Sequence, residues 1–272
     1  MTVLSKLTSA NGEIVKEQTL NIPTAAGQME TFITRPSQSG PFPAVILYMD
    51  VWGVREVLFD LARRVATVGY YVIVPDFYYR QGRVRTDYRD EHGKAISINK
   101  LDPETLAKVL APQKALSDRM VIDDTADMLK FLDSQSDVKR GAIGCYGYCM
   151  GGRQVLQVAA AYPDRFKATA SLHGTTVISD ENPDSPHRTV KQLQGEVYCG
   201  FPETDQFAPP AMVAEWNALM KASPAKYHVE VHAGALHGYA LPDRDVFHKA
   251  SADRDWELIF AMFHRQIPVY AP

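Results

Sequence analysis

A cysteine between closely spaced glycines is the residue of this sequence best suited to nucleophilic chemistry. Cys149 lies in Gly147-Tyr148-Cys149-Met150-Gly151, which fits G-x-C-x-G, a nucleophile-elbow pattern with cysteine in the serine position. The N-terminus of a following helix would favour the thiolate form of this side chain. The alternative interpretation is a glycine-rich turn around an inert cysteine, because free cysteines are often buried. The pentapeptide alone leaves both interpretations open.

The residues on either side of the pentapeptide predict the elements that a nucleophile elbow requires. Residues 141–146 are mostly apolar, which is typical of a short buried strand. Residues 152–162 contain no helix breaker before Pro163 and predict a helix. Cys149 is therefore expected on a sharp strand-to-helix turn, where glycine neighbours permit the strained backbone and the close packing.

Two further residues are placed to complete a catalytic triad. A thiol nucleophile needs a general base, and the base needs an acid that orients it. Asp205 and His237 each follow a predicted strand, and the order nucleophile, acid, histidine is that of α/β-hydrolases. We expect Asp205 to accept a hydrogen bond from one ring nitrogen of His237 while the other nitrogen takes the Cys149 proton. Glu203 is the second choice for the acid.

An oxyanion hole would need two backbone N–H groups aimed at the developing negative charge. One is expected from Met150, the residue after the nucleophile. The other is expected from the loop after the first buried strand, where Val51 and Trp52 are the candidates. Core packing of the Trp52 side chain is compatible with this role, because only the backbone is needed.

Composition limits the class of protein. The chain has 272 residues, of which 46% are hydrophobic and 22% charged, as in ordinary globular proteins. A net charge of -3 makes nucleic acid and anionic membrane surfaces unexpected partners. Neither a leader-like N-terminus nor a membrane-spanning apolar run is present, so a cytoplasmic protein is expected. The cysteines, Cys145, Cys149 and Cys199, form neither a disulfide framework nor a CxxC motif, and no metal is expected.

Strands alternating with helices predict an α/β protein with a mostly parallel, doubly wound sheet and helices on both faces. We interpret residues 1–272 as one domain with an N-terminal strand pair at about 12–36 and a polar, lid-like excursion at about 80–117. Asp102 is expected to cap a short helix in the excursion. The remaining strands are predicted over 43–49, 70–75, 141–146, 168–172, 196–201 and 227–232, and the remaining helices over 57–68, 118–132, 152–162, 210–221 and near the C-terminus.

From about residue 43 to the C-terminal helix, the sequence resembles the dienelactone hydrolases (carboxymethylenebutenolidases), cysteine members of the α/β-hydrolase superfamily. The resemblance is carried by residues 50–55, 69–78 and 147–152, by Asp205, and by His237-Gly238. It implies an α/β-hydrolase fold and opening of an unsaturated, carboxylated lactone through a thioacyl-enzyme on Cys149, within the degradation of aromatic compounds. It implies no metal or organic cofactor, and the expected partner is a small-molecule ester or lactone.

The sequence departs from the family pattern at two places. Family members carry a glutamate that hydrogen-bonds the resting thiol, whereas this chain has Asp50, one methylene shorter. We keep Asp50 as an expected participant beside the thiol. The family also holds the substrate carboxylate with arginines, one of them in the segment that corresponds to residues 80–117. The candidate substrate-binding residues are Arg80, Arg83, Arg85, Tyr148, His173 and Tyr239.

Other functions remain open at this point. A broader carboxylesterase or thioesterase would use the same triad on a different ester. A thiol redox sensor would pair Cys145 with Cys149, although a strand residue and a turn residue are expected to point in different directions. A non-catalytic binding protein on a hydrolase scaffold is the third alternative, because fold does not fix function. The sequence leaves the choice between monomer and homodimer undecided.

Overall fold

A computed structural model describes residues 8–9 and 12–269 of the chain. The N-terminal residues 1–7, on which the expectation of no leader rests, lie outside the described residues, as do 270–272. The strands are β1 (Thr8–Ser9), β2 (Gly12–Glu13), β3 (Val15–Thr24), β4 (Gly27–Pro36), β5 (Ala44–Tyr48), β6 (Tyr71–Pro75), β7 (Ile143–Tyr148), β8 (Phe166–Leu172), β9 (Glu196–Thr204) and β10 (Lys226–Leu236).

Helices separate most of these strands, as the sequence pattern predicts. The α-helices are α1 (Glu56–Ala66), α2 (Pro103–Lys114), α3 (Asp118–Ser134), α4 (Met150–Ala161), α5 (Pro210–Met220) and α6 (Lys249–Gln266). Short 3-10 helices cover Tyr79–Gln81, Ile98–Lys100, Pro186–Arg188 and Val190–Gln192. None of the helices in the described ranges has the length and apolarity needed to cross a bilayer.

An eight-stranded sheet in the order β10-β9-β8-β7-β5-β6-β4-β3 forms the centre of the structure. Its members from β10 to β6 run parallel, while β4 pairs antiparallel with both β6 and β3. Every residue of β5 and β7 is buried, which explains why these strands are almost continuously apolar in sequence. The predicted α/β class and the mostly parallel sheet are confirmed.

Helices cover both faces of the sheet, and two glycines of β7 allow these helices to pack closely against it. A Cβ on Gly144 would lie 3.2 Å from Phe263 of α6, whereas a Cβ on Gly147 would lie 2.4 Å from the backbone of Gly151 in α4. Residues an odd number of positions apart in a strand point to opposite faces. Therefore α4 and α6 pack closely against opposite faces of the central strand, and larger residues at these positions would push them away.

The segment from residue 80 to 117 packs against the chain that follows β10. Within it, the Asp102 side chain caps α2 by accepting from the Glu104 and Thr105 amides, both at 3.0 Å. The Ala95 amide donates to the carbonyl of Asp243 at 2.8 Å. The Ser97 amide donates to the Asp245 carboxylate at 2.9 Å. These bonds hold the segment over the carboxyl ends of the parallel strands.

Candidate active site

Cys149 lies on the sharp turn between β7 and α4. Its backbone has φ 57° and ψ -116°, a region that non-glycine residues rarely adopt, and its amide donates to the Leu172 carbonyl at 3.0 Å. Its side chain is almost fully buried, at 6% exposure, and lines a cleft at the carboxyl end of the sheet. The turn has the geometry expected of a nucleophile elbow.

Gly151 allows the elbow to pack against β5, and replacing it with alanine should destabilise the protein. A Cβ at this position would lie 2.3 Å from the Tyr48 carbonyl oxygen, in a backbone contact that cannot relax easily. We expect Gly151→Ala to lower the free energy of unfolding by about 3 kcal/mol. Equilibrium denaturation measures this change. The control is Gly93→Ala, where the new Cβ has no neighbour within 4 Å and only the φ of 74° adds strain, of about 1 kcal/mol; a loss in Gly151→Ala no larger than in this control would contradict the steric explanation.

Asp205 and His237 form a buried hydrogen-bonded pair beside the cleft. His237 Nδ1 lies 2.7 Å from Asp205 Oδ2, and the second oxygen of Asp205 accepts from the Phe207 amide at 2.8 Å. Glu203, the second choice for the acid, instead accepts from the amide of Gly234 at 2.8 Å. The strand ends therefore bring Asp205, rather than Glu203, to the histidine.

The charge state of His237 is set by its neighbours. Burial alone would lower its pKa, but the neighbouring Cys149 sulfur and the hydrogen bond to Asp205 outweigh burial and raise the pKa of His237 to about 10. Its Nε2 has no hydrogen-bond partner among the described residues and lines the same cleft as Cys149. The imidazolium form of His237 is therefore favoured beside the Cys149 sulfur.

The backbone amides near Cys149 distinguish between Val51 and Trp52, the two oxyanion-hole candidates in the loop after β5. The Trp52 amide donates to Asp50 Oδ1 at 3.1 Å, so it is not free to donate to an oxyanion. No acceptor for the amide of Val51 or of Met150 lies among the described residues. Val51 and Met150 are thus the amides that remain able to donate to an oxyanion.

Asp50 lies in the cleft wall, but its carboxylate faces arginines rather than the thiol. Arg55 binds it through two hydrogen bonds of 2.7 and 2.9 Å, and Arg244 approaches it at 3.3 Å. Burial would raise the pKa of Asp50, but the two guanidinium groups outweigh burial and lower it. Within the described part of the chain, Asp50 makes no hydrogen bond to Cys149, so the expected contact with the thiol is not formed.

The expected arginines of the 80–117 segment do not line the cleft. Arg80 forms two hydrogen bonds of 2.7 Å to Asp124. Arg85 is held at 2.7 Å by Asp76. Arg83 is 74% exposed. These side chains support the segment or face solvent, and the structure does not bring them to Cys149.

Of the other expected substrate-binding residues, His173 lines the cleft and the two tyrosines do not. Tyr148 is fully buried beneath the elbow, because its position in β7 points it into the core. The Tyr239 hydroxyl donates to Asp255 at 2.8 Å and is also buried. His173 contacts the ring of His237, with the two ring centroids 4.9 Å apart.

Sequence reasoning missed Arg244. This side chain is only 3% exposed, lines the cleft, and stacks over the Trp52 ring with its guanidinium carbon 4.2 Å from the ring centroid. In sequence it stands between Asp243 and Asp245, where an arginine is indistinguishable from a solvated surface charge. The signal that marks it, burial against an aromatic ring beside Cys149, exists only in the folded chain.

The second buried thiol near the elbow shows none of the properties of a reactive cysteine. Cys145 is fully buried in β7 and approaches the Thr169 hydroxyl at 3.6 Å. Burial raises the pKa of this thiol to about 12. A reactive thiol requires access and a low pKa, so the geometry disfavours a redox pair with Cys149.

The described residues do not form a cluster able to hold a metal ion. Over residues 8–9 and 12–269, no group of three or more His, Cys, Asp and Glu side chains has a suitable arrangement.

The cleft that contains Cys149 is lined by Asp50, Val51, Trp52, Ser97, Ile98, Cys149, His173, His237, Gly238, Leu241 and Arg244.

Comparison with known proteins assigns the family. The sequence pattern of the dienelactone hydrolase family matches residues 29–267. Proteins named "Putative carboxymethylenebutenolidase" from Escherichia coli and Methylorubrum extorquens are 29% and 25% identical, over 89% and 95% of this chain and 84% and 83% of their own. The crystal structure titled "Putative Dienelactone Hydrolase" from Klebsiella pneumoniae has a TM-score of 0.78 at 26% identity, covering 92% of this chain and 99% of that one.

The chain belongs to the dienelactone hydrolase family and has the α/β-hydrolase fold. Membership makes the protein a hydrolase of the ester and lactone class. The resemblance inferred from the sequence is thereby confirmed.

Proposed function

We propose that the protein is a cysteine-dependent hydrolase that opens an unsaturated lactone carrying a carboxylate, through a thioacyl-enzyme on Cys149, during the degradation of aromatic compounds. The observation that carries this proposal is the buried His237–Asp205 pair at 2.7 Å, in the same cleft as a cysteine on a strained elbow. Nucleophile, base and orienting acid are the groups that covalent acyl transfer requires.

In the first half-reaction, the Cys149 sulfur attacks the lactone carbonyl carbon and the ring C–O bond breaks. Negative charge on the carbonyl oxygen is stabilised by the amides of Val51 and Met150. The proton of the His237 imidazolium passes to the departing enolate oxygen. Asp205 holds the ring in the orientation that presents Nε2 to this proton transfer.

In the second half-reaction, neutral His237 takes a proton from water, and the water oxygen attacks the thioester carbon. The C–S bond then breaks, and its electron pair returns to sulfur. This step restores the pair of imidazolium and thiolate and releases the second carboxyl group of the product. No oxidant or reductant is involved.

Arg244 supports the choice of an anionic substrate. Its guanidinium is buried in the cleft wall and shares Asp50 with Arg55, which has the shorter contacts to that carboxylate. A substrate carboxylate can therefore bind Arg244 while Asp50 stays paired with Arg55. The name of the relatives, carboxymethylenebutenolidase, denotes a butenolide ring that bears such a carboxyl group.

The segment around Ser97 and Ile98 covers this cleft, and we propose that it acts as a lid on the bound substrate. Both residues contribute to the lining, and the Arg244 guanidinium donates to the Ile96 carbonyl at 3.4 Å. The same contacts would exclude water from the charge pair between arginine and substrate, which strengthens it.

Replacing Arg244 with methionine tests the substrate class. We expect KM for dienelactone to rise about 10- to 100-fold, as for loss of a charged hydrogen bond, while a neutral nitrophenyl acetate is hydrolysed within about 3-fold of wild type. Steady-state kinetics on both substrates measure the contrast within one variant. The control is Arg83→Ala, which removes an exposed arginine outside the cleft.

Equal effects of Arg244→Met on the charged and neutral substrates would contradict carboxylate binding. Failure of wild type to open dienelactone, together with rapid Cys149-dependent hydrolysis of the neutral ester, would favour the broader carboxylesterase or thioesterase instead.

A further inference from the structure

His173 has features that the proposed mechanism does not use. It directly follows β8 and has φ 38°, an angle at which a non-glycine residue is strained. The side chain is fully buried, yet neither Nδ1 nor Nε2 has a hydrogen-bond partner among the described residues. Leaving a buried polar group unpaired is an additional cost to the folded state. The backbone bond from its amide to the Gly200 carbonyl, 2.8 Å long, helps hold this conformation.

The position of these unpaired nitrogens indicates where their partner must lie. His173 lines the same cleft as Cys149 and His237, and its ring meets the His237 ring edge to face at an interplanar angle of 72°. His237 Nε2 is likewise unpartnered among the described residues. A small polar molecule on the cleft side of both rings would therefore meet hydrogen-bonding groups from each.

The surroundings of His173 keep it uncharged. Burial, His237 and Arg244 hold the pKa of His173 well below its usual value of 6.5. A neutral imidazole always keeps one nitrogen lone pair, so it can accept a hydrogen bond at any working pH. A protonated His173 would instead repel the imidazolium of His237. A substrate carboxylate would bind to Arg244 more strongly than to a neutral His173.

We propose that His173 positions the water that hydrolyses the thioester, an inference that rests on the proposed function. The water transfers one proton to His237 Nε2. Its other O–H group donates a hydrogen bond to the neutral ring of His173, and this bond orients the water. The water oxygen bonds to the thioester carbon, the C–S bond breaks, and its electron pair returns to sulfur. The hydrogen that is hydrogen-bonded to His173 stays on the attacking oxygen, leaves as part of the product carboxyl group and then dissociates into solvent. His173 is thus a positioning residue for deacylation.

The test separates the two half-reactions in rapid-mixing kinetics with a nitrophenyl ester. Nitrophenolate release reports acylation, and intact mass spectrometry of quenched samples reports the acyl-enzyme. We expect His173→Phe to slow deacylation about 100-fold by misplacing the water, while acylation changes less than about 3-fold. The acyl-enzyme should accumulate in this variant, and hydroxylamine, a stronger nucleophile, should restore turnover.

Two further variants keep the test decisive if the phenylalanine ring prevents folding. His173→Asn keeps an oxygen acceptor and tolerates a positive φ, so it should recover part of the deacylation rate. His173→Gly also suits the backbone but has no acceptor, so it should behave like the phenylalanine variant. A purely structural role would not distinguish asparagine from glycine in this way.

Equal slowing of acylation and deacylation, or equal rates in the asparagine and glycine variants, would overturn the inference. Failure of the proposed function gives a different result. In that case, neither wild type nor any His173 variant would form an acyl-enzyme while the ester is still hydrolysed, and both proposals would fall.

Discussion

Replacing Cys149 with alanine is expected to lower dienelactone and nitrophenyl ester hydrolysis by at least about 10⁴-fold, because the variant has no nucleophile to form the acyl-enzyme. The sulfur occupies the strained turn between β7 and α4, so no neighbouring side chain can replace it. Loss of dienelactone absorbance and release of nitrophenolate, measured at neutral pH, quantify the effect. The oxyanion hole and the substrate-binding residues would account for any residual rate.

Cys145→Ala is the matched control for this experiment. It removes a buried thiol from the strand just before the elbow, outside the cleft. We expect its rates to stay within about 3-fold of wild type, since a small core substitution of this kind changes stability more than chemistry. Full activity in Cys149→Ala, or equal loss in both variants, would contradict a nucleophilic role of Cys149.

Asp205→Asn should have the second-largest effect, a fall in kcat of about 10³- to 10⁴-fold. The amide cannot keep His237 in the tautomer and orientation that direct Nε2 toward the cleft. It also removes the negative charge that helps raise the pKa of His237 to about 10. The imidazolium that protonates the leaving group is present below this pKa and lost above it. The alkaline limb of the pH profile should therefore move to lower pH in the variant.

Acylation rates between pH 6 and 11 measure both parts of this prediction. Glu203→Gln is the control, because Glu203 lies near the end of the same strand but binds the Gly234 amide instead of the histidine. Its activity and alkaline limb should match wild type. An unchanged alkaline limb in Asp205→Asn, or a shifted alkaline limb in Glu203→Gln, would contradict the assignment of Asp205 as the carboxylate that orients His237.

The elements near the elbow were predictable because their signals are local. Gly147, Gly151 and the apolar run before them specify a strand and a tight turn within a dozen residues. The buried strands β5 and β7 were equally clear, since a strand covered on both faces needs an apolar residue at every position. The Asp205–His237 pairing also followed from chain order, because parallel strands bring their carboxyl ends to one edge.

The charged residues of the cleft were not predictable in the same way. Arg80 was expected to face substrate, yet it pairs with Asp124, 44 positions further along the chain. Arg244 looked like a surface charge, yet it is buried against Trp52 and Asp50, which lie nearly 200 positions earlier. An ion pair depends on which elements meet in the folded chain, and the periodicity of a sequence does not carry that information.

The proposed function depends on a covalent intermediate on Cys149, which mass spectrometry of the quenched enzyme would detect. Wild-type protein would be mixed with dienelactone, quenched in acid within milliseconds, digested and mapped. We expect a mass increase equal to one opened lactone on the peptide that contains Cys149, absent from Cys149→Ala and lost as turnover ends. Turnover without any adduct, or an adduct on a different residue, would contradict the proposed intermediate.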